Sequence, residues 1–248
     1  MNHKRRHYSK GLTLIEIAIG LIIFSICLGG VFSLLKHTQS AQQNTTTNNN
    51  RNIIVKTLNR FHQQNGRIPC PSPPGSNEGF ELPRCQGPLQ QIGIIPYKTL
   101  GIPENLAKDG CGNYFTYAVS EQSTFILSKL DTTTTLNSLK ILDISNRAYA
   151  EGELGIAYVL ISHGPKGSGA FTPMPDRNRY PTHTHFDEEN AKETLTFYAD
   201  IPKKDSENQV FFIQRDDLDT NEAPEPKKIA IPSTLEDNPY VTPPSADL

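Results

Sequence analysis

Leu12 to Leu35 is a run of 24 residues whose only charged side chain is Glu16. At roughly 1.5 Å per residue, a helix over this run is about 36 Å long. That exceeds the roughly 30 Å hydrocarbon core of a bilayer, so a slightly tilted membrane-spanning helix fits. His3, Lys4, Arg5, Arg6, His7 and Lys10 precede the run, and the next cation is Lys36. The positive-inside bias predicts a single pass with the first ten residues cytoplasmic and the rest outside. A carboxylate inside hydrocarbon costs roughly 2.5 kcal/mol or more, so Glu16 needs a functional explanation.

Simpler readings explain less. A cleaved secretory signal has a shorter apolar core of about 7–15 residues and a small-x-small cleavage site, which Thr38-Gln39-Ser40-Ala41-Gln42 does not supply. A lipoprotein signal needs a small residue before its modified cysteine, and Ile26 precedes Cys27. Cys27 reads as a small apolar residue of the helix. A plain signal anchor accounts for length and orientation but leaves Glu16 unexplained.

The basic leader, Gly11, and a Glu five residues later resemble the type IV prepilin signal of bacterial pilins and pseudopilins. The resemblance implies cleavage after Gly11 by a prepilin peptidase and N-methylation of Leu12 by the same enzyme. It also implies residence in the bacterial inner membrane with a periplasmic head, and assembly with other pilin or pseudopilin subunits. The physical logic is local. Gly11 has no side chain to obstruct the protease. The new α-amine of Leu12 titrates near about 8 and is mostly protonated at neutral pH. Leu12 and Glu16 stand at i and i+4 on one helical face. Glu16 is thus placed to meet its own terminus or that of a packed neighbour, and the resemblance implies the neighbour. Such families usually carry Phe at the first mature position, so Leu12 is a departure bearing on cleavage efficiency.

Cleavage leaves 237 of the 248 residues and removes four cations, taking the formal side-chain charge from −2 to −6. A mildly acidic chain without a basic run has nothing to offer phosphate backbones, so no nucleic-acid partner is expected. About 180 residues follow the helix and its polar neighbour, enough for one domain with a sizeable core. With no Trp and 19 Pro against 17 Gly, a loop-rich, strand-containing head is favoured over a helical bundle.

Cys70, Cys85 and Cys111 fall outside the cytoplasm, where disulfides persist. Cys70 and Cys85 bracket Pro71-Ser72-Pro73-Pro74-Gly75, a loop with little core of its own. Closing it is worth about 3 kcal/mol in the chain-entropy model, which favours a Cys70–Cys85 bridge with Cys111 left over and buried. The spacings do not match a zinc site.

Residues 36–50 are polar, ending Thr-Thr-Thr-Asn-Asn-Asn, and their poor helix propensity predicts a weakened or locally melted stretch. Ile54, Val55, Leu58 and Phe61 then form an apolar stripe of helical period. Asn65-Gly66, with Pro69 beyond, supplies the stop. In the head, Tyr114–Val119, Ile156–Ser162, Leu195–Tyr198 and Val210–Ile213 read as strands, with Ile156–Ser162 central. Strands without long intervening helices predict an antiparallel sheet. Thr132–Thr135 marks a loop, and the Pro-rich stretch after Asp219 predicts a largely disordered tail.

Further blocks occur in order: Arg67-Ile68-Pro69-Cys70-Pro71, Gly93-Ile94-Ile95-Pro96-Tyr97-Lys98-Thr99-Leu100-Gly101, and Asp109-Gly110-Cys111-Gly112-Asn113 with Tyr114–Val119. Ile161-Ser162-His163-Gly164-Pro165-Lys166-Gly167-Ser168-Gly169-Ala170 completes them. They are similar to the head of a pilin-like group of prepilin-type cleavage/methylation proteins, with gaps, over residues 11–171. That group commonly carries Trp where Cys111 stands, which leaves Cys111 open as an alternative partner for Cys70 or Cys85.

No enzyme signal stands out. His183 and His185 with Asp187, Glu188 and Glu189 could gather a metal, but Pro181 and the neighbouring charges point to an exposed loop, and no metal or cofactor is expected. Ser162 or Ser168 with His163 lacks the nucleophile-elbow pattern, and the glycines of 164–169 lack the Walker spacing. Asp109 before Gly110 fits a turn hydrogen bond better than calcium.

These readings predict an α+β fold, with a long N-terminal membrane-spanning helix packed on a small antiparallel-sheet, pilin-like head. The expected divisions are leader 1–11, assembly helix 12–35, helix extension 36–65, head 66–218 and tail 219–248. The expected role is a structural subunit, minor or tip, of a type IV pilus or type II secretion pseudopilus-like filament. The alternative is a membrane-anchored periplasmic binding or adhesion module that forms no filament.

Overall fold

A computed structural model describes residues 14–75, 79–125, 138–148, 155–172, 185–192, 194–199 and 208–218, without the side chains of 27–37 and 216. The leader, Gly11, Leu12, Thr132–Thr135, His183 and the tail from 219 lie outside the described residues. The chain divides into two compact units, 1–45 and 46–248.

Helix α1, Leu14–Asn65, supplies the described part of the first unit and opens the second. It runs unbroken through 45–50, where propensity alone predicts weakening. The seven residues Asn44–Asn50 cost about 4 kcal/mol in helix propensity relative to alanine, and tertiary bonds offset part of this. Thr47 and Asn50 are buried. The Thr47 hydroxyl accepts from the Gly110 N–H at 2.8 Å, and the Asn50 amide donates to the carbonyls of Lys108 at 2.8 Å and Asn105 at 3.2 Å. The helix stops where Gly66 enters the left-handed region at φ 66°, its N–H donating to the His62 carbonyl.

The described α-helices and strands that follow in the second unit are α2 (Pro88–Gln91), β1 (Ile92–Ile94), β2 (Thr116–Val119), β3 (Lys140–Leu142), β4 (Ile156–Ser162), α3 (His185–Ala191), β5 (Thr196–Tyr198) and β6 (Gln209–Gln214). An antiparallel sheet runs β1-β2-β4-β6. Tyr117 pairs with Leu160, and Leu160 with Phe211. All seven residues of β4 are buried, which is why they read as a continuous apolar run rather than an alternating one. Ile54, Val55 and Leu58 of α1 join this sheet in one core with Ile94, Tyr117, Tyr158 and Leu160.

Elements of the head also depart from the sequence reading. β5 pairs in parallel with β3 in a separate two-stranded sheet. Residues 185–191, expected as loop, form α3. The strand expected at Tyr114–Val119 begins at Thr116. Gly93 of β1 has a strict requirement: a Cβ there would lie 2.4 Å from the Ser72 carbonyl oxygen. Ser72 and Ile94 form a bridge across that close approach.

Candidate functional site

In the first unit, Glu16 lies close to the start of the described part of α1. Around it, every residue from Leu14 to Ile26 is exposed, the large apolar side chains from 50% at Ile17 to 87% at Leu14. An apolar surface exposed all round a helix needs lipid or other helices to cover it. Among the described residues no helix is long and apolar enough to cross a membrane. The described apolar side chains end at Ile26, and the sequence run continues through residues whose side chains lie outside the description. Gly11 and Leu12, the expected cleavage and methylation residues, also lie outside it.

In the second unit, Cys70 and Cys85 form a disulfide with Cα atoms 5.7 Å apart. The closed loop is fastened by a two-pronged ion pair from Arg67 to Glu81, at 2.8 and 2.9 Å. The same Glu81 carboxylate accepts from the Cys70 N–H at 3.1 Å. Its hydrogen bonds hold the Arg67 guanidinium above its ordinary pKa despite partial burial. The ring of Phe61 lies against the same guanidinium, 5.2 Å from centroid to Cζ. Cys111 takes no part in the disulfide, and it is half-buried rather than buried. It follows Gly110, whose N–H donates to Thr47 of α1.

Asp109 organises the turn before β2. One carboxylate oxygen accepts from the N–H groups of Cys111 and Asn113, at 2.9 and 3.0 Å. The other accepts from the Ser162 hydroxyl at 2.9 Å. These bonds take up both oxygens, as a turn-forming Asp requires. His163 is fully buried. Its Nδ1 faces the Ser168 carbonyl at 2.9 Å and its Nε2 the Thr116 hydroxyl at 2.8 Å. A carbonyl only accepts, so Nδ1 carries a proton. Ser162 therefore serves Asp109, and His163 is oriented by a carbonyl rather than by a carboxylate, so the two do not make a nucleophile–base pair.

His185 opens α3 with its side chain 71% exposed, 3.9 Å from Glu189. Among the described residues no cluster of three or more His, Cys, Asp or Glu is placed to hold a metal. Thr47, Asn50 and Glu81 were not singled out in the sequence. Their signal, buried polar residues on a helical face and inside a disulfide loop, is invisible until the partners are placed.

The family described as the prokaryotic N-terminal methylation motif matches residues 6–32, covering part of the leader and most of the apolar run. No curated protein and no solved structure matches the chain. The chain therefore carries the prepilin-type signal of type IV pilins and pseudopilins.

Proposed function

We propose that this chain is a structural subunit, minor or at the tip, of a type IV pilus or type II secretion pseudopilus-like filament. It is made as a prepilin, cut between Gly11 and Leu12 by a prepilin peptidase, and methylated on Leu12. Residues 12–35 hold it in the inner membrane with the N-terminus cytoplasmic, then pack against other subunits. The observation that carries this reading is the methylation motif over residues 6–32. The exposed apolar side chains from Leu14 to Ile26 support it, because they are what a membrane-to-bundle transfer would cover. That transfer gains little hydrophobic energy, since lipid tails are as apolar as neighbouring helices, so packing and polar pairing set the register. Glu16 supplies the polar term by pairing with the α-amine of a neighbouring subunit. No catalytic role is assigned, because the second unit commits Ser162, His163 and Asp109 to internal bonds.

The test is Glu16→Ala, followed in membrane and sheared-filament fractions. Membrane insertion should persist while the variant disappears from filaments. Unchanged filament incorporation would refute the role of Glu16. Absence of the wild-type protein from filaments would instead favour a membrane-anchored binding module.

A further inference from the structure

Thr46 to Asn50 are residues that lower helix stability, because their short polar side chains bond competitively to nearby backbone. Their helical form is nevertheless complete. The buried side chains of this turn, Thr47 and Asn50, both reach the 105–110 loop. They take the Gly110 N–H and donate to the Asn105 and Lys108 carbonyls. That loop stands on bonds of its own. A 3-10 turn spans Glu104–Ala107, and the Phe115 N–H donates to the Ala107 carbonyl. The Asp109 N–H donates to Asn113, and the Asp109 carboxylate receives the Ser162 hydroxyl from the end of β4.

The loop thus has ties to the sheet besides its bonds to the helical turn, so losing the turn's bonds leaves it supported. We propose that Thr46–Asn50 is a conditional helical turn, closed onto the 105–110 loop by Thr47 and Asn50 and unwound when those bonds are lost. The turn is then a built-in release point. This inference concerns the second unit alone and stands apart from the assembly role of Glu16.

Hydrogen exchange on the full chain in detergent tests it. Asn50→Ala should speed exchange of the amides of residues 47–51 by about tenfold or more, with Tyr158–Ile161 unchanged. Adding Thr46→Ala and Asn49→Ala, both at exposed positions, should return the rates to near wild type by raising propensity without restoring the bonds. Three results would each overturn the proposal. They are unchanged exchange in Asn50→Ala, equal acceleration in the turn and in β4, and failure of the alanine pair to correct the loss.

Discussion

Arg67 grips Glu81 with two parallel hydrogen bonds, at 2.8 and 2.9 Å, and ties the chain just past α1 to the inside of the disulfide loop. Both side chains keep a quarter or so of their surface in water, so screening limits the gain. Glu81→Ala should cost about 1–2 kcal/mol, more than an exposed ion pair, because the Cys70 N–H loses its acceptor as well. Urea unfolding of the variant measures this directly. No loss of stability would mean that the pair forms without holding the loop.

Cys70 and Cys85 are separated by 15 residues. Replacing both by Ala should lower stability by about 3 kcal/mol through the freed entropy of the unfolded loop. Reduction of the wild-type protein by dithiothreitol should give a similar loss. If Cys111→Ala reproduced the loss, the bridge would be drawn to the wrong partner.

Tyr117 and Tyr158 meet edge to face with ring centroids 6.1 Å apart, and burial pushes both phenols up. A phenol raised in the folded state favours folding below its unfolded pKa of about 10, and that contribution is lost as pH rises beyond it. Alkaline unfolding should therefore set in above about pH 10. The Tyr117 hydroxyl donates to the Pro69 carbonyl, but that of Tyr158 has no hydrogen-bond partner among the described residues. Tyr158→Phe should leave stability at pH 7 unchanged or raise it by about 1 kcal/mol. It should also flatten the pH dependence above 10. A loss beyond about 1 kcal/mol at neutral pH would show that the hydroxyl has a partner.

Leu58 is fully buried where α1 meets the sheet. Leu58→Ala should cost about 2–5 kcal/mol as a cavity and loosen the helix from the core. Thermal unfolding of the variant checks it, and a cost near zero would place Leu58 outside the core.

The parts of this fold that were legible in the sequence depend on local pattern. The stripe Ile54, Val55 and Leu58, the Asn65-Gly66 stop and the continuous apolar run of β4 each announce themselves within a few residues. The three-residue strands β1 and β3 carry too few positions to show a period. α3 was hidden by a charged, His-rich composition that reads as surface loop. Continuity of α1 through Thr47 and Asn50 could not be read, because the bonds that secure it come from about 55 to 63 residues away. The same holds for the Ser162–Asp109 bond across 53 residues. The roles proposed for Gly11, Leu12 and Glu16 rest on six adjacent positions of the sequence, and Gly11 and Leu12 lie outside the described residues.

Processing at the N-terminus is tested most directly by the intact mass of the protein from cells with and without a prepilin peptidase. With the peptidase, the mass should fall by residues 1–11 and rise by one methyl group on Leu12. A mature protein that keeps Met1 to Gly11 in peptidase-positive cells would contradict it.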